Sequence, residues 1–317
     1  MAEVLFGFIR GPATGVVILL GPPHLSLNPA SDLRQLTAFP FMVNALQAGT
    51  IVALMGAVTG WFMVLRRQSF AGHTLSTMSF PGASGAALAG LPVATGYFIF
   101  STLGALIIAA GSRSAGRRGF AQESAVTGVV QAFGLAAGFL FLSLNHGVLE
   151  SLETLLFGSF LGITRGQVLT LLAIAAGALT FFALAGRPLL FASVDEEVAS
   201  AQGVPVRGLA VAFLLVLALA VAATAQITGV VLVFALLIAP AAAAQQLTAR
   251  VGRGLALSAA IALAVTWIGL GLAYFTNYPV GFFITSLAFA VYALARIVRA
   301  LREAARGSRR RSPPDGR

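Results

Sequence analysis

"FPFMVNALQAGTIVALMGAVTGWFMVLRRQSFAGHTLSTMSFPGASGAALAG", residues 39–90, is a long apolar run, an arginine pair and a second run that opens with His73, Thr74, Ser76, Thr77 and Ser79. A spanning helix takes about 20 mainly apolar residues, so each run is long enough to cross a bilayer. Arg66 and Arg67 then mark the aqueous face between them. Seven more stretches follow, and the nine together cover roughly 39–65, 69–90, 92–111, 124–144, 167–186, 208–226, 228–247, 254–275 and 279–298. The expected fold is an all-α polytopic membrane bundle of about nine transmembrane helices.

The composition agrees with that class. The 317 residues are 58% hydrophobic and 9% charged, with a mean hydropathy of +0.92, beyond the range of ordinary soluble domains. The net charge of +10 comes from 20 arginines against 10 acids, with no lysine. With the N-terminus outside, 17 of the 20 arginines fall in inner loops or in the tail, as the positive-inside rule requires. The charge therefore signals topology and gives no reason to invoke nucleic acid. Cysteine is absent, which excludes disulfides and thiolate metal sites.

Residues 1–38 are broken by Arg10, Pro12, Pro22, Pro23 and Pro29 and read as an extracytoplasmic or interfacial segment without a cleaved signal peptide. Residues 39–298 form the membrane domain. The segment 299–317 reads as a basic cytoplasmic tail attracted to anionic lipid. Arg296, Arg299 and Arg302 recur at helical spacing before Gly307, so the tail starts as a short helix and ends disordered. Small residues spaced by four, Gly56 with Gly60 and Gly82 with Ala86, predict close helix contacts.

His73, Ser76 and Thr77 stand at i, i+3 and i+4 and share one helix face. An ionisable group in a span is a candidate functional site, because burial is costly unless water, a partner or a ligand satisfies it. The same residues can also serve as hydrogen-bonding glue between helices. Asn44, Gln47 and Thr50 on the first span, with Gln226 and Thr228 near the sixth-to-seventh boundary, are further candidates for a translocation path. His146, Glu150 and Glu153 carry metal-ligand spacing in an outer loop, and His24 lies in a Pro-flanked segment. Solubility is the plainer role for those loop groups.

The loop "SVDEEVASAQGVPVR", residues 193–207, predicts a short acidic helix: Ser193 can cap it, Asp195, Glu196 and Glu197 fill its first turn, and Gly203 with Pro205 can end it. Such a helix is a connector or a docking element. A P-loop needs the lysine of GxxxxGK[ST], which this chain lacks, and neither HExxH nor Gly-x-Ser-x-Gly occurs. The chain therefore reads as a transport subunit and not as an enzyme.

Three motifs in order, residues 41–90, 193–207 and "TGVVLVFALLIAPAAAAQQLTARVGR" at 228–253, resemble the membrane subunits of the ABC-3 family of zinc, manganese and iron importers. The segment "LETLLFGSFLG", 152–162, resembles the family's loop before its fifth span. The resemblance covers about residues 39–298. It implies a type II ABC importer permease, a homodimer with two cytoplasmic ATPase subunits, fed by an extracytoplasmic metal-binding protein. It makes residues 195–203, with Asp195, Glu196, Glu197 and Gly203, the ATPase-coupling loop, and puts His73, Ser76 and Thr77 on the translocation pathway.

The family pattern after the arginine pair is Ser-[apolar]-x-Gly-Asp-Ala-[apolar]-Ser-His. Here His73 stands at the Asp position and Thr77 at the His position. Imidazole suits zinc, whereas loss of the carboxylate counts against a hard manganese site. His73 is thus the expected metal contact, with zinc as a transported substrate and no stably bound cofactor. Chelated iron or a cobalamin-like cargo remains open, as does an ion-coupled secondary transporter, although most acids fall in loops or tails. The topology places the protein in the cell membrane with its C-terminus cytoplasmic. Trypsin should cleave the tail at Arg309–Arg311 in inside-out vesicles and leave it intact in sealed right-side-out vesicles; the reverse pattern would overturn the orientation.

Overall fold

The computed structural model describes residues 38–114, 119–145, 158, 162–276 and 278–310. Those residues form ten helices and no strand. In chain order they are α1 (Pro40–Leu65), α2 (Ser69–Leu88), α3 (Val93–Ser114), α4 (Gly119–Leu144), α5 (Arg165–Val194), α6 (Glu196–Ala201), α7 (Val206–Thr228), α8 (Val230–Leu247), α9 (Val251–Phe275) and α10 (Val280–Arg310). Nine coincide with the nine expected spans. The tenth, α6, is the short acidic helix. His24, His146, Glu150 and Glu153 lie outside the described residues, as do the segment 1–37 and the last seven positions.

Seven of the helices, α1, α3, α4, α5, α7, α9 and α10, are long and apolar enough to cross a membrane. The other two are special cases. α2 is dense in hydroxyl side chains, and α8, Val230–Leu247, is the shortest of the nine at 18 residues. Both are sheltered by neighbours: α2 packs against α3, α4, α7 and α8, and α8 against α1, α9 and α10. Outward side chains such as Phe133, Leu184 and Phe289 are instead 70–79% exposed in the isolated chain.

Ends and breaks follow local chemistry. Thr164 and Gln167 form a reciprocal capping box that starts α5, satisfying two amides that the helix leaves open. α5 runs to Val194, past Pro188 and well beyond the expected end near residue 186. Gly229, at φ 76° and ψ 160°, separates α7 from α8, and only glycine tolerates that backbone without strain. Gly158 packs so closely against Thr228 and Gly229 that a β-carbon would strike their backbone. α10 continues without a break through the basic segment to Arg310. There Arg299 bonds Glu303 at 2.8 Å and Gln246, near the end of α8, at 2.8 Å.

The core consists of two main apolar clusters. One gathers Phe62, Leu75, Phe182, Phe213, Leu217 and Leu237; the other gathers Met42, Met55, Leu171, Leu236, Val265 and Ile284. The small-residue spacings do what their pattern predicts. Gly56 and Gly60 of α1 face Leu237, and Gly82 and Ala86 of α2 meet Gly96 of α3. A β-carbon on Gly82 would collide with the Gly96 carbonyl, and backbone, unlike a flexible side chain, cannot step aside. We expect Gly82→Val to lower stability by about 3 kcal/mol or more. Gly177→Val, on α5 with nothing within 4 Å, should change it by less than about 0.5 kcal/mol. Thermal unfolding in detergent, followed by size exclusion, measures both.

Candidate translocation site

α2 is a helix of hydroxyls enclosed by apolar helices, and each hydroxyl needs a partner because lipid offers none. Most find one across a helix boundary. Thr74 Oγ1 donates to Gln131 Oε1 of α4 at 3.1 Å. Ser79 and Ser101 of α3 share a bond at 3.2 Å, and Ser101 Oγ also donates to the Leu75 carbonyl at 3.1 Å. Ser84 Oγ lies 2.9 Å from the Phe80 carbonyl and 3.3 Å from that of Gly138. Ser76 Oγ donates to the Val230 carbonyl at 2.6 Å, in the first turn of α8.

One strip of α2 is different. His73 and Thr77 are half-buried and Phe70 is 43% exposed, whereas Thr74, Leu75, Ser76 and all of 78–84 are buried. His73 meets the ring of Phe234 on α8 edge to face, with centroids 4.8 Å apart, and its Nδ1 is buried without a hydrogen-bond partner. Thr77 Oγ1 turns back to the Thr74 carbonyl at 2.8 Å, which uses its proton and leaves its oxygen able to accept. Pro81 sits inside α2; having no N–H, it cannot donate to the Thr77 carbonyl four residues earlier. The strip thus combines a half-exposed imidazole, whose buried Nδ1 lacks a partner, with a half-exposed threonine that has lone pairs to spare.

The expected site residues do not all gather here. Ser76 adjoins His73 but is sealed against α8, so it anchors the strip to the α7–α8 break. Asn44 lies about 30 Å along α1 from Leu65, the end that leads into α2. Its Nδ2 donates to the Ile163 carbonyl at 3.0 Å. Gln47 is exposed beside it, lining a cavity of about 420 Å³ with Pro40, Val43, Arg165, Val168 and Leu169. Thr50 is engaged by Trp267 Nε1 at 3.0 Å. Gln226 is nearer the break at Gly229, and its Nε2 is buried without a partner. Phe234, Val230 and Pro81 went unrecognised from sequence, though a proline two turns beyond a histidine in a polar span is a signal that could have pointed to the last.

The acidic helix is built differently from expectation. Its N-cap is Asp195, whose carboxylate accepts from Val198 N at 3.0 Å. Ser193 does not cap it: its Oγ donates to the Leu189 carbonyl and accepts from Arg66 Nη1 at 3.1 Å. Glu196, Glu197 and Val198 are exposed, Val194 is 75% exposed, and Ala199 is buried against Ala192 and Val206. Gly203, at φ 83°, turns the chain toward α7. The result is a small projecting face with two carboxylates and two valines, standing on a fixed apolar base. Among the described residues no three His, Asp or Glu side chains lie close enough together to hold a metal ion.

Comparison with known proteins bears on this arrangement. The family model described as ABC 3 transport family matches residues 38–299. The probable iron transport system membrane protein of Haemophilus influenzae is 32% identical over 262 residues, 81% of this chain and 94% of that protein. The manganese transport system membrane protein MntC of Halalkalibacterium halodurans is 29% identical over 261 residues, 82% and 88% of the two chains. In three dimensions the chain is similar to PsaBC from Streptococcus pneumoniae in complex with Fab, with a TM-score of 0.73 and 25% identity over 84% of this chain and 94% of that one.

The hydroxyl bonds and the imidazole should separate in stability measurements. Ser79→Ala and Ser101→Ala should each destabilise, and a double-mutant cycle between them should give a coupling of about 0.6 kcal/mol, with 1.7 as an upper range. His73→Phe keeps a ring against Phe234 and removes an unpartnered polar atom, so its unfolding midpoint should equal or exceed that of the native chain.

Proposed function

The chain belongs to the ABC 3 transport family, and from that premise we propose that it is the permease subunit of an ATP-driven importer for a divalent metal ion, with zinc the ion its donors suit best. The observation that carries the reading is His73, half-buried on α2 against Phe234 of α8 close to the α7–α8 break at Gly229, with a buried Nδ1 that has no protein partner. Helix breaks that line a cavity are a recurring way to present polar groups to cargo within a membrane.

His73 would contact the metal through a neutral imidazole nitrogen, and Thr77 would add oxygen lone pairs. The described helices α1–α3, α5 and α7–α9 contain no carboxylate, which favours a borderline metal such as zinc over manganese. Two protomers facing each other across the pathway would double this donor set, so we take the working unit to be a homodimer. Manganese and iron remain the competing cargoes, because the relatives are named for them. An iron chelate would need few protein donors and fits the same sparse site.

ATP would be hydrolysed on separate cytoplasmic subunits docked at α6, with Asp195 to Gly203 as the contact. An extracytoplasmic binding protein would deliver the metal, and alternating access would follow from partners that bind the two conformations differently. The N-terminus is then outside, the C-terminus cytoplasmic, and no resident cofactor is required. The test is ATP-dependent uptake of zinc, manganese and iron into proteoliposomes holding the chain, its ATPase and its binding protein. Zinc uptake that His73→Phe reduces by at least about tenfold, roughly 1.4 kcal/mol, while assembly persists, is the expected result. Equal uptake by the variant would remove His73 from the pathway. Manganese uptake without zinc uptake would overturn the cargo.

A further inference from the structure

The turn that launches α2 is tied by Arg66 to Ser193, in the last turn of α5 just before the acidic helix. The Arg66 amide donates to the Phe62 carbonyl at 2.9 Å, that of Arg67 to Val64 at 3.1 Å and that of Gln68 to Met63 at 3.0 Å. Arg67 takes φ 57°, the only positive φ of a non-glycine residue among those described. That conformation is unfavourable for an L-residue, and the bonds of the Arg67 and Gln68 amides back into the last turn of α1, a Schellman pattern, hold it. The Arg66 guanidinium donates through Nη1 to Ser193 Oγ at 3.1 Å and through Nε to Gln68 Oε1 at 3.4 Å. Its Cζ lies 5.2 Å from the centre of the Phe213 ring on α7.

These contacts join three elements. Ser193 closes on the Leu189 carbonyl and stands two residues before Asp195, the cap of α6. Phe213 belongs to α7, which follows α6, and Ala199 of α6 is wedged between Ala192 and Val206. Gln68 is the N-cap of α2, and His73 follows it by five residues. A displacement of α6 therefore reaches the first turns of α2 through a planar cation that holds a hydroxyl, an amide oxygen and an aromatic face together. Lysine could supply the charge but not the fork and the flat stacking surface.

We propose that Arg66 is the positioning residue that converts movement of α6 into movement of α2, and so of His73 and Thr77. This rests on α6 being the ATPase contact. Its loss should separate ATP hydrolysis from transport, an effect that a merely structural role would not produce.

The test uses the complete complex of chain, ATPase and binding protein in proteoliposomes, with zinc and manganese as probes. Arg66→Gln should keep ATP hydrolysis within about twofold of the native complex and lose uptake by roughly tenfold, a size typical of coupling between sites. Arg66→Lys should fall between. Ser193→Ala should uncouple in the same direction, and adding it to Arg66→Gln should cost nothing further. If Arg66→Gln does not fold, Arg66→Lys and Ser193→Ala decide the matter. Hydrolysis and uptake falling in proportion, or uptake unchanged, would overturn the role of Arg66. Failure of the premise has its own signature: Glu196→Lys with Glu197→Lys would leave ATPase co-purification intact, and the proposal would fall with the docking reading.

Discussion

Backbone and side-chain polar groups removed from water must be satisfied by protein, and in this molecule that constraint falls most heavily on α2. The helix carries one imidazole and six hydroxyls among its 20 residues. Facing lipid it would be costly; it is stable because α3, α4, α7 and α8 surround it and because four of its hydroxyls bond to another helix. The close approach of Gly82 to Gly96 brings α3 near enough for the Ser79–Ser101 bond to form. The rest of the bundle is arranged around the burial of this helix, and the few polar atoms left without a partner stand out against so complete a set of bonds.

Those atoms set the chemistry. A transport site must bind cargo well enough to admit it and weakly enough to release it. In the proposed site, one imidazole and one threonine would bind more weakly than a carboxylate with an imidazole, and Pro81, lacking an N–H, leaves the Thr77 carbonyl beside them without its helical donor. At the other end of the same helix-turn, Arg66 binds the start of α2 to the base of the projecting acidic face. The start of α2 and the base of the acidic face are therefore linked by a short path through one side chain.

Much of this was legible in the sequence because apolar run length is a direct consequence of bilayer thickness. All nine helices stand where the runs place them, and the polarity of residues 69–84 marked α2 as interior. Spacing along one helix, however, says which side chains share a face without saying which helix that face meets. His73 and Ser76 were legible as neighbours, but only the packing shows that Ser76 is spent on Val230 while His73 is left open. Asn44 and Gln47 lie apart from His73, beside a cavity between the first turns of α1 and α5. Ser193 and Asp195 are both good caps, two positions apart, but α5 continues through Ser193, whose Oγ bonds the Leu189 carbonyl and Arg66, 127 residues away. A long-range contact of that kind leaves no trace in local sequence.

The central claim is that His73 and Thr77 face an aqueous path while the other hydroxyls of α2 are structural. Because the chain has no cysteine, single substitutions report accessibility without background. The most direct measurement is the rate at which a charged, membrane-impermeant thiol reagent modifies His73→Cys, Thr77→Cys, Ser79→Cys and Ser84→Cys in the assembled complex. The account predicts rapid modification at the first two positions, changing with ATP, and protection at the last two. Equal reactivity at all four, or inert cysteines at 73 and 77, would contradict it.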